Sequence, residues 1–292
     1  PKPPLHLIPR SLSVTEVETL VRDPYAVFAK HVLKLDPLEG LAVPPGAADR
    51  GNLVHEALGR FAMAYPAALP ADALAALTAI GREVFAPYRA YPDVMALWWP
   101  RFLRLAEAYV AWEEGRRPGL ARLHAEISGA LDLALADGSS FALRGRADRV
   151  EERGDGAVIV DFKTGQVPSA KRVFAGFAPQ MTLEAAMLVA GGFKGPAPVS
   201  ADRIELLYVS ATGGKEPLRP RPVKPEKDET RSVADLVAEH PVQLAKLMSR
   251  YCSGEIGFAS RPFAEYAKRE GVYDHLARVR EWSTGGDDGG GE

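Results

Sequence analysis

One cysteine, Cys252, stands in 292 residues. A lone thiol excludes a disulfide framework, a zinc ribbon and a four-thiolate iron–sulfur cluster within this chain. Cys252 is expected to behave as a small buried apolar residue, and a reducing, cytoplasmic setting is the default expectation. No apolar run approaches the roughly 18–20 residues needed to cross a bilayer, and no signal peptide opens the chain, so no membrane role is expected. No G-x-x-x-x-G-K-[ST] loop is present, so nothing points to ATP hydrolysis. No repeat of fixed period appears. Charge of one sign is missing too: 36 Lys and Arg face 38 Asp and Glu, for a net charge of −2. Such a chain has no global attraction for a polyanion, and any basic function must be gathered locally. The first residue is Pro1 rather than Met, which predicts a piece of a longer protein.

What is present is an ordinary globular composition, 47% hydrophobic and 25% charged. Residues 1–10 are Pro-rich and expected to be extended. Ser13-Val-Thr-Glu16 reads as a capping box opening a helix to Arg22, broken at Asp23-Pro24. Helical periodicity follows over Tyr25–Leu35, Arg50–Ala64, 71–90 and 93–114. The last of these carries Trp98, Trp99, Phe102, Tyr109 and Trp112. An aromatic row of that kind can stack bases, but at helical spacing it reads as core. From about 121 the texture changes to short alternating stretches, 121–135, 141–150 and 157–163, with turn signals at Asp137-Gly138 and Gly154-Asp155-Gly156. These predict a three-strand meander. A helix at 178–190, a strand at 202–210 and a helix at about 229–252 follow. The Pro- and charge-rich stretch 211–228 reads as an exposed loop, and the Gly/Asp-rich tail 284–292 as disordered. Helices around a small central sheet predict an α/β fold with a mixed sheet and an N-terminal helical part.

The chemistry lies in 141–165. Val158-Ile-Val160 reads as a buried strand that runs into Asp161-Phe162-Lys163. Asp161 and Lys163 are two apart and face one side, with Phe162 on the other. An acid and a base at the end of an apolar strand are costly unless something uses them. A turn at 152–156 sets Asp148 of the preceding strand beside Val160 or Asp161. Two carboxylates and an ammonium then converge, and a divalent ion that takes oxygen ligands relieves their repulsion. Mg²⁺ suits phosphate substrates, can activate water and stabilises phosphoryl charge. Lys163 would act on the water or the phosphate, a task for which Arg is a poor substitute. For Asp161 and Lys163 alone, a surface ion pair is an equal alternative; Asp148 at hairpin distance favours the functional reading. Arg144, Arg146, Arg149, Lys163, Lys171 and Arg172 cluster in this same stretch. Arg146 and Arg149 are candidate DNA phosphate contacts, with surface pairing to Glu151 or Glu152 as the alternative for one of them.

Gly145-Arg-Ala-Asp148-Arg-Val followed by Val158-Ile-Val-Asp161-Phe-Lys163-Thr-Gly resembles the PD-(D/E)XK nuclease superfamily in its RecB-like branch, with a restriction-endonuclease-like core. Two further elements of that branch stand in order: Arg50-Gly-Asn-Leu-Val-His55 resembles its R-G-x-x-x-H helix, and Gln180-Met-Thr-Leu-Glu184 its Q-x-x-x-Y helix. The resemblance implies His55 as a metal ligand with Asp148 and Asp161, and Gln180 at the metal site or the DNA. It makes Glu126, on the first strand of the meander, a candidate acidic residue of the site. An imidazole ligand favours Mn²⁺ as a substitute for Mg²⁺. The family's Tyr is Glu184 here; a Glu offers no stacking face and would repel phosphate if exposed, which puts a DNA contact at that position in question.

Leu12-Ser-Val-Thr-Glu-Val, Arg22-Asp-Pro-Tyr-Ala-Val-Phe and Tyr273-Asp-His-Leu-Ala-Arg-Val-Arg-Glu-Trp282 are similar to the nuclease domain of AddB-type subunits of AddAB helicase–nucleases. Many of those place a Cys where Asp23 stands, as part of an iron–sulfur staple; with Asp23 and a single cysteine, the cluster-free type is implied. The resemblance therefore implies one nuclease domain over 11–283, with a helical subdomain at about 57–120 and a nuclease core at about 121–252. It also implies an exonuclease that hydrolyses single-stranded DNA during double-strand break repair and recombination, partnered by the rest of its own longer chain and by an AddA-like helicase–nuclease subunit. Two alternatives stay open: a catalytically inactive DNA-binding or scaffolding domain of the same fold, and a metal-dependent hydrolase acting on something other than DNA.

Overall fold

The computed structural model describes residues 1–37, 44–263, 271–279 and 281. The tail 284–292 and the end of the Tyr273–Trp282 stretch lie outside them. The chain clusters into two compact units, one of Pro1–Val43, Asp132–Arg144 and His240–Glu292, the other of Pro44–Leu131 and Gly145–Glu239.

In the first unit, a 3-10 turn at Leu5–Leu7 interrupts the expected extension and leads into strand β1 (Ser11–Ser13). Helix α1 (Val14–Arg22) starts at a true capping box: Glu16 N–H donates to Ser13 Oγ, and Ser13 N–H donates to Glu16 Oε2 at 2.9 Å. Asp23 closes α1, and Pro24, which cannot continue that helix, sits at the first position of the short α2 (Pro24–Val27). A π-helical turn over Phe28–Val32 follows, where sequence periodicity predicts one continuous helix.

The second unit opens with α3 (Ala47–Ala64), α4 (Ala73–Val84) and α5 (Pro92–Arg116). Their apolar faces form one core with the β-branched side of the sheet: Leu58, Phe61, Leu77, Phe85, Phe102 and Tyr109 lie with Val160, Phe162, Leu207 and Val209. Fully burying side chains of this size contributes about 1.5–3 kcal/mol each. The aromatic row is core: Trp98, Phe102 and Tyr109 are buried, and Trp99 and Trp112 pack against them. Helix α4 approaches α5 closely because Gly81 has no side chain; a Cβ there would lie 2.1 Å from the Phe102 ring.

Three long strands follow as expected, β2 (Arg122–Ala134), β3 (Ser140–Arg153) and β4 (Gly156–Lys163). Then come α6 (Ala170–Phe174), α7 (Gln180–Val189), β5 (Ile204–Ser210), β6 (Arg219–Pro222) and α8 (Val233–Cys252). Cys252, at the end of α8, is buried. The six strands make a mixed sheet flanked by helices. β1 runs parallel to the start of β3, β3 antiparallel to β4, β4 parallel to β5 and β5 antiparallel to β6, while β2 pairs with β3. β6 corrects the expectation of a plain loop over 211–228. Its Pro residues fit an edge strand, because a proline has no N–H to offer.

Candidate active site

The site belongs to the second unit, at the end of β4. Arg149 pairs with Val160 across the hairpin, and just beyond that pair Asp148 leaves the ladder. Its Oδ2 accepts the Phe162 N–H at 2.9 Å, which points the carboxylate at the next strand. The same oxygen lies 3.3 Å from His55 Nδ1, on α3. Helix and hairpin therefore meet at one carboxylate. The alternation of β4 does the rest: Phe162 packs against Tyr109 and Trp112 on the core face, so Asp161 and Lys163 share the opposite face.

Asp161 is 2% exposed. Lys163 Nζ lies 3.0 Å from its Oδ1 and 2.9 Å from its Oδ2. Only the first contact has hydrogen-bond geometry, so the buried Oδ2 retains lone pairs without a donor. Gln180, the first residue of α7, spans the pair: its Nε2 donates to Asp161 Oδ1 at 2.9 Å and its Oε1 accepts from Lys163 Nζ at 3.0 Å. The same Nε2 donates to Glu184 Oε1 at 3.1 Å, one turn along α7. Glu184 is 1% exposed. It is thus an interior member of the network, and the phosphate repulsion expected of an exposed Glu does not arise.

A fourth carboxylate completes the row. Glu126 lies on β2 with φ 55, in the left-handed region that most side chains avoid. Gly59 of α3 makes room for it: a Cβ there would lie 2.7 Å from Glu126 Oε1. Arg146 Nη2 pairs with Glu126 Oε2 at 2.7 Å while its side chain stays 64% exposed.

The electrostatics follow from burial and crowding. Burial raises the pKa of Asp161, and Asp148 adds to the rise against the pull of Lys163. Burial raises Glu184 strongly, with Asp161 contributing. Glu126 is raised by burial and by Asp148, against Arg146. Burial opposes a charge on His55, but the hydrogen bond and charge of Asp148 outweigh it and hold the imidazole above its usual value. Four carboxylates resist ionising together in one small volume, with Lys163 and Arg146 as their cations.

A divalent cation fits this donor set. The ligating atoms are hard oxygens, one buried Asp161 oxygen lacks a donor, and the acids outnumber the cations. The expected ligands are close but not caged: among the described residues no three His, Cys, Asp or Glu side chains are already disposed around an ion. Asp148 and Asp161 are turned instead to His55, the Phe162 N–H, Lys163 and Gln180.

Arg149 corrects an expectation. Rather than meeting phosphate, it is 1% exposed. It projects to the core face, ion-paired to Glu113 of α5 and to Glu151 Oε1 at 2.7 Å, and lies over the Trp112 ring. Arg116 and Arg153 close on the same Glu151. The anticipated pairing with Glu151 occurs, but in the interior. Its adjacency to Asp148 misled: neighbours on a strand face opposite ways. Glu184 is the residue whose place in the site sequence reasoning missed. Its signal was the helical offset of four from Gln180, which puts both side chains on one face of α7.

Comparison with known proteins decides the family. The model of the PD-(D/E)XK nuclease superfamily matches residues 11–260. The chain belongs to that superfamily. It is 32% identical to an uncharacterised protein of Rickettsia bellii over 186 residues, 63% of this chain and 22% of that protein. A Rickettsia typhi protein, likewise uncharacterised, is 30% identical over 193 residues. An ATP-dependent helicase/nuclease subunit of Moorella thermoacetica is 28% identical over 185 residues, 58% of this chain and 13% of that protein. The chain thus spans about a fifth of the length of the Rickettsia relatives. Among the described residues no helix is long and apolar enough to cross a membrane.

Proposed function

We propose that this chain is the nuclease domain of a longer DNA-processing protein, and that it hydrolyses phosphodiester bonds of single-stranded DNA with a divalent cation, Mg²⁺ by preference and Mn²⁺ as a substitute. The observation that carries the reading is the meeting of Asp148 and Asp161 from adjacent strands beside Lys163 and Gln180. Asp148 and Asp161 would hold the ion, with His55 as a third ligand and Glu126 as a further acid at its edge. When bound, that ion supplies a Lewis acid for the phosphoryl oxygens and makes a water molecule easier to deprotonate. Lys163 is placed to give up its contact with Asp161 and neutralise charge on the phosphate, or to orient the attacking water. Gln180 holds Lys163 and Asp161 at one spacing through its two amide atoms. Arg146, largely solvent-facing, is the remaining phosphate contact of the two arginines considered.

Similarity to a helicase/nuclease subunit supports a setting in which a motor delivers the strand during double-strand break repair. We assign the chain to an AddB-like subunit that works with an AddA-like partner, without an iron–sulfur cluster, on the motifs at 12–17, 22–28 and 273–282. The experiment is cleavage of end-labelled single-stranded DNA with Mg²⁺, with Mn²⁺ and with EDTA. Wild type should cut only with metal, Asp161→Ala should not cut, and Lys163→Arg should lose about 10²–10³ in rate. Tight metal-independent binding that Asp161→Ala leaves unchanged, with no cleavage by either protein, would establish the inactive-scaffold alternative instead.

A further inference from the structure

The loops that leave β4 and β5 are held by three arginines that neither the motifs nor the hairpin involve. Thr164 follows Lys163 directly, and its carbonyl accepts from Arg50 Nη2 at 3.4 Å. The Lys163 carbonyl accepts the Ala211 N–H at 2.8 Å, which ties the start of the second loop to the first. In that loop Gly213, with φ 64, lies against α5 so tightly that a Cβ would be 2.2 Å from the Arg101 carbonyl oxygen. Its own carbonyl accepts from Arg104 Nε at 3.2 Å. Arg101 and Arg104 are three apart on α5, so their side chains share one face of the helix. Both are exposed and Arg50 is half-buried.

Among the described residues none of the three pairs with a carboxylate. The Arg101 charge is close enough to act with burial in lowering the pKa of Arg50. Backbone carbonyls take up one donor of Arg50 and one of Arg104, while a guanidinium carries five. Scattered surface arginines would be solvated singly. Here two are fixed to loops that begin at the catalytic strand, and two stay together despite repulsion.

We propose that Arg50, Arg101 and Arg104 form a phosphate cradle one residue beyond Lys163, which grips the backbone of the nucleic-acid strand whose scissile bond lies at Asp161 and Lys163. The proposal rests on the nuclease reading above. Guanidinium forks match phosphate oxygens and read no base, so the cradle tracks a strand of any sequence. It also supplies the local positive field that a chain of net charge −2 otherwise lacks. Exposed Leu97, one turn before Arg101, extends the same face with an apolar surface against which a base can lie.

The test is binding of a 5′-fluorescein oligodeoxythymidylate in EDTA over a salt series, followed by cleavage with Mg²⁺. In Arg101→Ala/Arg104→Ala, affinity should fall about tenfold or more. The slope of log K against log salt should shrink by about 1.4, at about 0.7 per lost contact on a single strand. KM should rise while kcat at saturating DNA stays near wild type. Arg101→Lys/Arg104→Lys should keep the slope, and Arg82→Ala/Arg89→Ala, which removes two exposed charges elsewhere, should match wild type. Should the alanine pair unfold the loop, Arg101→Gln/Arg104→Gln keeps a donor for the Gly213 carbonyl and should show the same loss of slope. A wild type that cuts DNA beside an alanine or glutamine pair of unchanged affinity and slope overturns the cradle and leaves the nuclease reading standing. A wild type that neither binds nor cuts overturns both.

Discussion

Glu184 shows how one substitution in a shared pattern changes the physics of a site. In place of an aromatic side chain, this chain buries a carboxyl beside Gln180 and within electrostatic reach of Asp161. Both acids hold their protons to higher pH when folded than when unfolded. Between the unfolded values, near 4 to 4.5, and the raised folded ones, the native state therefore binds more protons. Stability should fall as pH rises through that window and then level off. Replacing Glu184 by Gln keeps an oxygen acceptor for Gln180 and removes one of the two titrations. The melting temperature of Glu184→Gln should match wild type near pH 4.5 and exceed it at pH 8, by about 2–4 °C for each kcal/mol relieved. Thermal melts at the two pH values read this directly, and equal differences at both would show that Glu184 carries no burial penalty.

The hairpin β3–β4 is the element on which the chemistry depends, and its two faces do different work. One carries Asp148, Asp161 and Lys163; the other carries Arg149, locked to Glu113, Glu151 and Trp112. Removing one partner of a buried ion pair costs about 3–5 kcal/mol, because the other charge is left without compensation. Arg149→Ala should lose that much in urea unfolding. Whatever protein remains folded should keep the DNA affinity and salt slope of wild type, an outcome opposite to that of a phosphate contact. Alternation within 158–163 and the turn at 152–156 made the hairpin legible, because a period of two and a Gly-rich turn are local properties. Which of two adjacent arginines faces solvent is not local: it depends on α5 bringing Glu113 across the sheet.

For the whole molecule, the acids of the site remain uncompensated until a cation joins them, so metal binding should act as folding energy. A ligand that binds only the native state stabilises it by about 2.7 kcal/mol at a hundred times its Kd. Mg²⁺ or Mn²⁺ should therefore raise the melting temperature of wild type and leave Asp161→Ala unmoved, a difference that scanning fluorimetry resolves without any activity assay. The amino-acid sequence by itself determined the order of helices and strands, the shared face of Asp161 and Lys163, the core character of the aromatic row and the superfamily. Those follow from periodicity, turn chemistry and motif spacing within short windows. Only the tertiary structure decided that Arg149 is interior, that Glu184 joins the network, that α3 brings His55 to Asp148 and that Arg50 meets Arg101 and Arg104. Each of these depends on surfaces that come from distant parts of the chain, where packing and desolvation override what any local pattern can express.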